Sequence, residues 1–389
     1  MTDHYDVVVI GGGIHGVGAA QAAACGGCSV LLIEKTALAA GSSSRSSKLI
    51  HGGLRYLEGL DFRLVHESLR ERAILRKIAP ELVQLRPFHI PVYPETSRRP
   101  LTLRAGLTLY AMLGGLRASS RFRLLARSEW DSLDGLNTTN LQAVFRYFDA
   151  QTNDSQLTRA VMQSAIDHGA VLACPAEFLS ARIDATGCDV SYREGAAAKS
   201  CSASVLVNAT GPWVNIVAEY ISPAPEPMAI ELVQGGHLVM EQALEQNCYY
   251  MEVPEDRRAV FLLPWGEHSM LGTTEHSYTG DPANVAILEG EEVYLLEVLS
   301  HYFPQRSQQV RERFAGLRVL PISGDAAFRR SRETHLPVDN PRQPRLVTIY
   351  GGKLTGYRAT AAKIMKLVAP TLPGRKAVAD TARLVLRPV

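Results

Sequence analysis

Apolar and polar positions follow two rhythms along the chain, and the changes of rhythm mark out the elements. Tyr5 to Ile10 is a short, β-branched, nearly unbroken apolar run and predicts a strand buried on both faces. Val17 to Ala24 reads as a helix of small residues, and Ser29 to Ile33 as a second strand that ends in Glu34. Asp61 to Ala79 predicts a highly charged helix. Asn153 to Gly169 is amphipathic, with Asn153 or Asp154 as N-cap and Gly169 as the stop. Short strands follow around Val171–Cys174, Phe178–Ile183, Asp189–Tyr192 and Ser204–Asn208, a small β layer returning to the first sheet. From Ile230 to Thr334 the alternation is that of an antiparallel sheet, with one long helix near Val285–Tyr302. Leu346–Tyr350 is a further buried strand, and Leu354–Ala369 a final helix.

The turn after the first strand changes the picture. Gly11-Gly12-Gly13-Ile14-His15-Gly16 gives strand, G-x-G-x-x-G, helix, strand and acid in order. Gly11 permits the tight turn, Gly13 the approach of backbone to a pyrophosphate, and Gly16 close packing of helix on strand. The helix N-terminus offers unpaired N–H groups to phosphate oxygens. Glu34 can accept from both hydroxyls of an adenosine ribose and repels a 2′-phosphate, which disfavours NADP. His15 is read as a spacer whose side chain faces away. The motif alone leaves NAD and FAD open. Ser42, Ser43, Ser47 and Lys48 lie in a hydroxyl-rich loop suited to wrapping a large polar cofactor, and the Rossmann-type unit is then interrupted by Leu49 to Leu57, which favours a flavin. Ala209-Thr210-Gly211 supplies a second close approach, through Ala209 and Gly211.

Composition narrows the class. The 389 residues are 46% hydrophobic and 21% charged, enough for two or three domains with large cores and against disorder. A formal charge of +2 argues against a dedicated nucleic-acid binder. No apolar run has the length of a spanning helix, and the N-terminus lacks the basic region of a signal peptide. Six scattered cysteines suit a reduced compartment. Cys25-Gly26-Gly27-Cys28 is read as a helix end, and no metal site is expected. Thr96 to Ser128 holds seven arginines and no acid around the apolar Leu107–Leu113, a composition suited to a membrane interface.

Ser46-Ser47-Lys48-Leu49-Ile50-His51-Gly52-Gly53-Leu54-Arg55-Tyr56-Leu57-Glu58 resembles the signature of FAD-dependent glycerol-3-phosphate dehydrogenases. Val207–Trp213, Pro264-Trp265 with Leu271–Glu275, Gly316-Leu317-Arg318 and Gly351–Arg358 match the same family in the same order. Three positions depart from its pattern: Val319 stands where proline is usual, Gly236 where serine is, and Gly356 where threonine is. Members commonly carry a C-terminal helical domain beyond the point where this sequence stops.

The resemblance implies an α/β fold: a Rossmann-like FAD-binding domain of the D-amino-acid-oxidase/glutathione-reductase type, with an antiparallel β-sheet substrate cap. The expected division is 1–80, 150–225 and 335–370 for FAD, 81–149 and 226–334 for the cap, and 371–389 as a tail. It implies noncovalent FAD, a phosphorylated polyol substrate, sn-glycerol 3-phosphate, oxidised to dihydroxyacetone phosphate, and electrons passed to a quinone or other acceptor. The expected location is cytoplasmic, with peripheral contact on the inner face of the cell membrane, and homo-oligomers are allowed. Arg55, Arg318 and Lys353 occupy cationic motif positions for phosphate and flavin, with Arg332 a fourth cation. Gly52 belongs to the strongest block, and Gly352-Lys353-Leu354-Thr355 would bring a helix N-terminus to the flavin. His51 and His237 are the two candidate bases, and the sequence does not choose between them. The alternatives are an FAD oxidase of another small anionic hydroxy compound and a non-catalytic FAD-binding subunit.

Overall fold

The computed structural model describes residues 3–245, 247–322 and 333–389. Strand β1 (Asp3–Ile10) lies parallel to β2 (Val30–Ile33) on one side and to Ala197–Asn208 on the other. Val7 to Ile10 are at most 4% exposed, as a run buried on both faces requires. Ala170–Ala173 and Leu346–Thr348 extend the parallel part, Ala176–Ile183 and Cys188–Glu194 add antiparallel strands, and Ile221–Ser222, parallel to Ala176–Ile183, completes an eight-stranded sheet.

Helix α1 (Ile14–Cys25) packs on this sheet because its residues are small. A Cβ on Gly16 would stand 1.9 Å from the Gly11 carbonyl, and one on Gly18 2.8 Å from the Tyr357 ring. The helix over Asp154–Asp167 is capped by Asn153, whose side chain accepts from the Gln156 amide, and Gly169 at φ +93° ends it. After α1 the left-handed residue is Gly27 (φ +84°), while Gly26 keeps helical angles. Cys25 and Cys28 are buried free thiols flanking that turn, and burial pushes the Cys25 thiol up to about 11.

The second sheet has ten strands. Val83–Val92 pairs antiparallel with Ala143–Thr152 along its whole length, and Ile230–Met240 with Val310–Pro321. Helices Phe62–Ile78 and Pro100–Leu113 pack through Val65, Leu69, Leu103, Leu107 and Tyr110 on the face carrying Phe88, Ile90 and Phe145. Glu289–Tyr302 covers the opposite face through Leu295, Val298 and Leu299.

Three expectations need correction. Leu49–Ile50 pairs with Gln151 and Ala150 in the second sheet, so the chain leaves the first sheet well before residue 80. The helix expected from Val285 starts at Glu289, after a 3-10 turn at Pro282–Asn284. The final helix runs Tyr357–Val368 behind a 3-10 turn at Leu354–Gly356, because Gly356 is a weak helix former.

Candidate functional site

A cavity of about 980 Å³ opens between the two sheets. One end is the glycine loop. Gly11 sits at φ +104°, and a Cβ there would stand 2.8 Å from the Ala209 carbonyl, so only glycine lets these two turns meet. Gly13 is the N-cap of α1 and supplies no capping side chain, which leaves the helix amides to a ligand or to neighbours. Ser43 Oγ takes one of them, the Ile14 amide, at 2.9 Å. Glu34 lines the cavity. Its Oε2 accepts from the Gly12 amide at 2.6 Å and its Oε1 from the Thr36 amide at 2.8 Å. Ser42 donates to the Leu317 carbonyl at 2.7 Å and so ties the serine loop to the second sheet.

The other end brings together residues far apart in sequence. His51, His237, Arg318, Lys353, Leu354 and Thr355 line it, as do Ser47, Gly211 and Gly352. His237 is 2% exposed, stacks on Phe314 at 4.9 Å between ring centroids, and shares a 2.9 Å hydrogen bond through Nε2 with Ser47 Oγ. Burial first, then the charges of Arg318 and Lys48, push its pKa down to about 3. Arg318 donates to Thr273 Oγ1 at 2.8 Å and pairs with Glu275 at 3.2 Å. The His51 carbonyl accepts from Thr355 Oγ1 at 3.4 Å. The Lys353 ammonium sits 4.2 Å from the centre of the Tyr56 ring, a cation–π contact.

Four of the expected residues do not line the cavity. Gly16 is spent on packing α1 against Gly11. Lys48 turns the other way: its ammonium donates to Asp154 at 2.8 Å and to the Ser44 carbonyl, so it braces the serine loop and does not face a cofactor. Gly52 is wedged behind the site, where a Cβ would meet the Tyr110 hydroxyl at 2.2 Å. Arg55 stands 3.8 Å from the Glu275 Oε1 that Arg318 also approaches, but of the two arginines only Arg318 lines the cavity. Arg332 lies outside the described residues.

Sequence reasoning passed over three residues. His15 does not face away: it lines the cavity against Gly352, where a Cβ would stand 2.3 Å from Nε2. Its two ring nitrogens are shielded from solvent with no hydrogen-bond partner among the described residues, and burial lowers its pKa to about 4. Glu275 joins Arg55 to Arg318, and Tyr56 carries the Lys353 ammonium. The last two stood inside the motif blocks already quoted. Nothing local marked His15, because its direction depends on a turn more than three hundred residues away.

The glycine-lined approach to a helix N-terminus, the acid after the second strand and the orphaned nitrogens of His15 are features that a dinucleotide would satisfy. Fold and site define a dinucleotide-dependent redox protein of the two-sheet type. Residues 6–365 match the model of the FAD dependent oxidoreductase family, and the chain belongs to that family and binds FAD. It is 38% identical to a glycerol-3-phosphate dehydrogenase of Pseudomonas aeruginosa over 382 residues, 95% of this chain and 72% of that one. It is 36% identical to the aerobic glycerol-3-phosphate dehydrogenase of Escherichia coli over 385 residues, 95% of this chain and 74% of that one. Among solved structures, the Bacillus halodurans glycerol-3-phosphate dehydrogenase complexed with FAD superposes with a TM-score of 0.76 at 25% identity, covering 98% of this chain and 68% of that one.

Proposed function

We propose that this enzyme oxidises sn-glycerol 3-phosphate to dihydroxyacetone phosphate and passes the electrons to a quinone. The observation that carries the reading is Arg318, which lines the cavity and is paired with Glu275, a carboxylate that Arg55 also approaches from outside the lining. Guanidinium forks match a phosphate's geometry, and Glu275 keeps both side chains aimed while it shares their charge. The names of the related enzymes support the same substrate.

Bound FAD supplies the two-electron acceptor that takes the C2 hydrogen as hydride. The chain's residues do the rest. The substrate's C2 hydroxyl must lose a proton, and three histidines line the cavity: His15 belongs to the glycine loop, which leaves His51 and His237 as the candidate bases for the substrate end. With a pKa near 3, His237 stays neutral at any physiological pH and is a poor proton acceptor; it orients Ser47. His51 is the base in this reading. Lys353 adds positive charge beside the cavity, which favours reduced flavin.

Peripheral membrane contact belongs to the same reading. No helix among the described residues is long and apolar enough to cross a membrane. Helix Pro100–Leu113 and the loop behind it expose Leu101 at 80%, Met112 at 54% and Leu116 at 58%, in the arginine-rich segment.

Arg318→Ala tests the substrate. A charge-assisted hydrogen bond left unmade costs about 1.5–3 kcal/mol, so anaerobic flavin reduction by glycerol 3-phosphate should slow roughly 10- to 150-fold, with FAD content kept. If the variant bleaches as readily as the parent, phosphate recognition by this arginine is wrong.

A further inference from the structure

The backbone ladder that carries His51 ends one residue before it. Leu49 and Ile50 pair with Gln151 and Ala150, and continued pairing would place His51 opposite Asp149. The chain departs instead, and the Asp149 carboxylate receives the next amide: the Gly52 N–H donates to Oδ1 at 3.0 Å. Asp149 is 3% exposed. Two further donors reach it from two helices, Arg72 from Phe62–Ile78 at 2.5 Å and the Tyr110 hydroxyl from Pro100–Leu113 at 3.2 Å to each oxygen.

Arg72 is 2% exposed and is itself well satisfied. Besides Asp149 it donates to the carbonyls of Phe148 at 2.8 Å and Ser119 at 3.0 Å, and to Ser120 Oγ at 3.3 Å. A buried ion pair is a poor source of net stability, since apolar residues of equal volume serve a core as well or better. Its value here is directional. Only a fixed acceptor behind the loop holds the Gly52 amide. Gly52 is also clamped sterically, with the Tyr110 hydroxyl and Leu69 leaving no room for a Cβ, and Gly53 turns at φ +78°.

We propose that Asp149, oriented by Arg72 and Tyr110, is a positioning residue for His51: it anchors the Gly52 amide and so sets where the preceding imidazole stands in the cavity. This rests on the reading that His51 acts in the reaction. A misplacement of about 1 Å can cost on the order of 100-fold in rate.

The experiment uses the FAD-loaded enzyme and anaerobic stopped-flow reduction by glycerol 3-phosphate. Asp149→Leu removes the acceptor and should slow reduction about 10- to 100-fold, Asp149→Asn less, because its amide oxygen can still accept from Gly52. KM should move less than about threefold and FAD content should hold. The deciding comparison is the same substitution in a His51→Gln background, where its effect should shrink to less than about twofold, since coupled residues are non-additive. An equal loss in both backgrounds, or a loss that tracks FAD content, means a merely structural role and overturns the proposal. If His51→Gln reduces flavin as fast as the parent, the His51 reading itself fails and the proposal with it. If His51→Gln is slow while the Asp149 effect is undiminished, the proposal alone fails. Should the Asp149 variants not fold, Tyr110→Phe decides by the same comparison, with an expected loss of about threefold in the parent and none beside His51→Gln.

Discussion

Glu34 holds three hydrogen bonds from its own chain, from the Gly12 amide and from the amide and hydroxyl of Thr36. They fix the carboxylate at the cavity edge before any ligand arrives, and so lower the ordering cost of binding a ribose. Glu34→Ala should therefore weaken FAD binding by about 1.5–3 kcal/mol per lost ribose hydrogen bond, and should also free the Gly12 amide. Titration of the apoprotein with FAD, followed by flavin fluorescence, reads this directly; an unchanged affinity removes the ribose assignment. His89 carries a second residue-scale prediction, away from the cavity. It is 3% exposed against the Tyr249 ring, and burial first, then Arg146 and Arg123 against Asp134 and the Cys248 backbone, lower its pKa from 6.5 to about 4. Between those values the unfolded chain binds a proton that the fold refuses, so stability is full above about pH 6.5 and falls toward pH 4. His89→Gln should flatten part of that dependence in urea midpoints measured at pH 7.5 and 5; the same slope as the parent would contradict it. Residue identity was legible where a motif spelled it out, as at Gly11 and Glu34. It was not at Lys48, whose partner Asp154 lies in a distant helix and decides which way the ammonium turns.

Elements were legible where their signals are local. Asn153 and Gly169 bracket a helix because one is a cap and the other takes a left-handed angle, and both act within a turn. The arginine-rich segment shows the limit. From sequence it holds no acid, yet in the fold Arg98 pairs with Glu58 and Glu252, and Arg123 with Glu129. Two of the seven charges are thus partly offset by acids outside the segment. The inner side of Pro100–Leu113 is ordinary core, through Leu103, Leu107 and Tyr110, and only the outer side offers apolar surface. Vesicles containing anionic lipid should pull the enzyme down at low salt, and 1 M salt, with a Debye length of about 3 Å, should release most of it. Leu101→Asp with Met112→Asp should abolish binding without touching flavin reduction. If the parent does not sediment with such vesicles at low salt, the segment is surface and core only.

At the scale of the whole molecule, the site is a product of topology. His51 follows a short strand of the second sheet, His237 and Arg318 sit on paired strands of that sheet, and Lys353 precedes the last helix. No spacing in the sequence brings these together; they meet because the chain crosses between the sheets repeatedly. For the same reason the resemblance could name the residues but not the Glu275 bridge or the Asp149 anchor behind them. The last crossing is made by residues 371–389, expected only as a tail. Arg375 pairs with Asp6 of β1 at 3.1 Å, the Val378 amide donates to the Cys25 carbonyl at 2.8 Å, and the Leu386 amide donates to the Ile78 carbonyl at 2.7 Å. This segment has no helix or strand of its own, yet it straps the end of α1 to the helix over Phe62–Ile78, and that helix carries Arg72. Leu386 is 2% exposed within the same core as Leu75, Ile78 and Leu82. Leu386→Ala should cost about 2–5 kcal/mol, as cavity-forming core substitutions do, and lower the thermal midpoint by several degrees. Val385→Ala, beside it at 60% exposure, should leave the midpoint within a degree or so, since exposed substitutions typically stay within about 0.5 kcal/mol. Differential scanning calorimetry of the three proteins distinguishes a strap from a loose end: equal midpoints for all three would mean that the segment adds nothing to the fold.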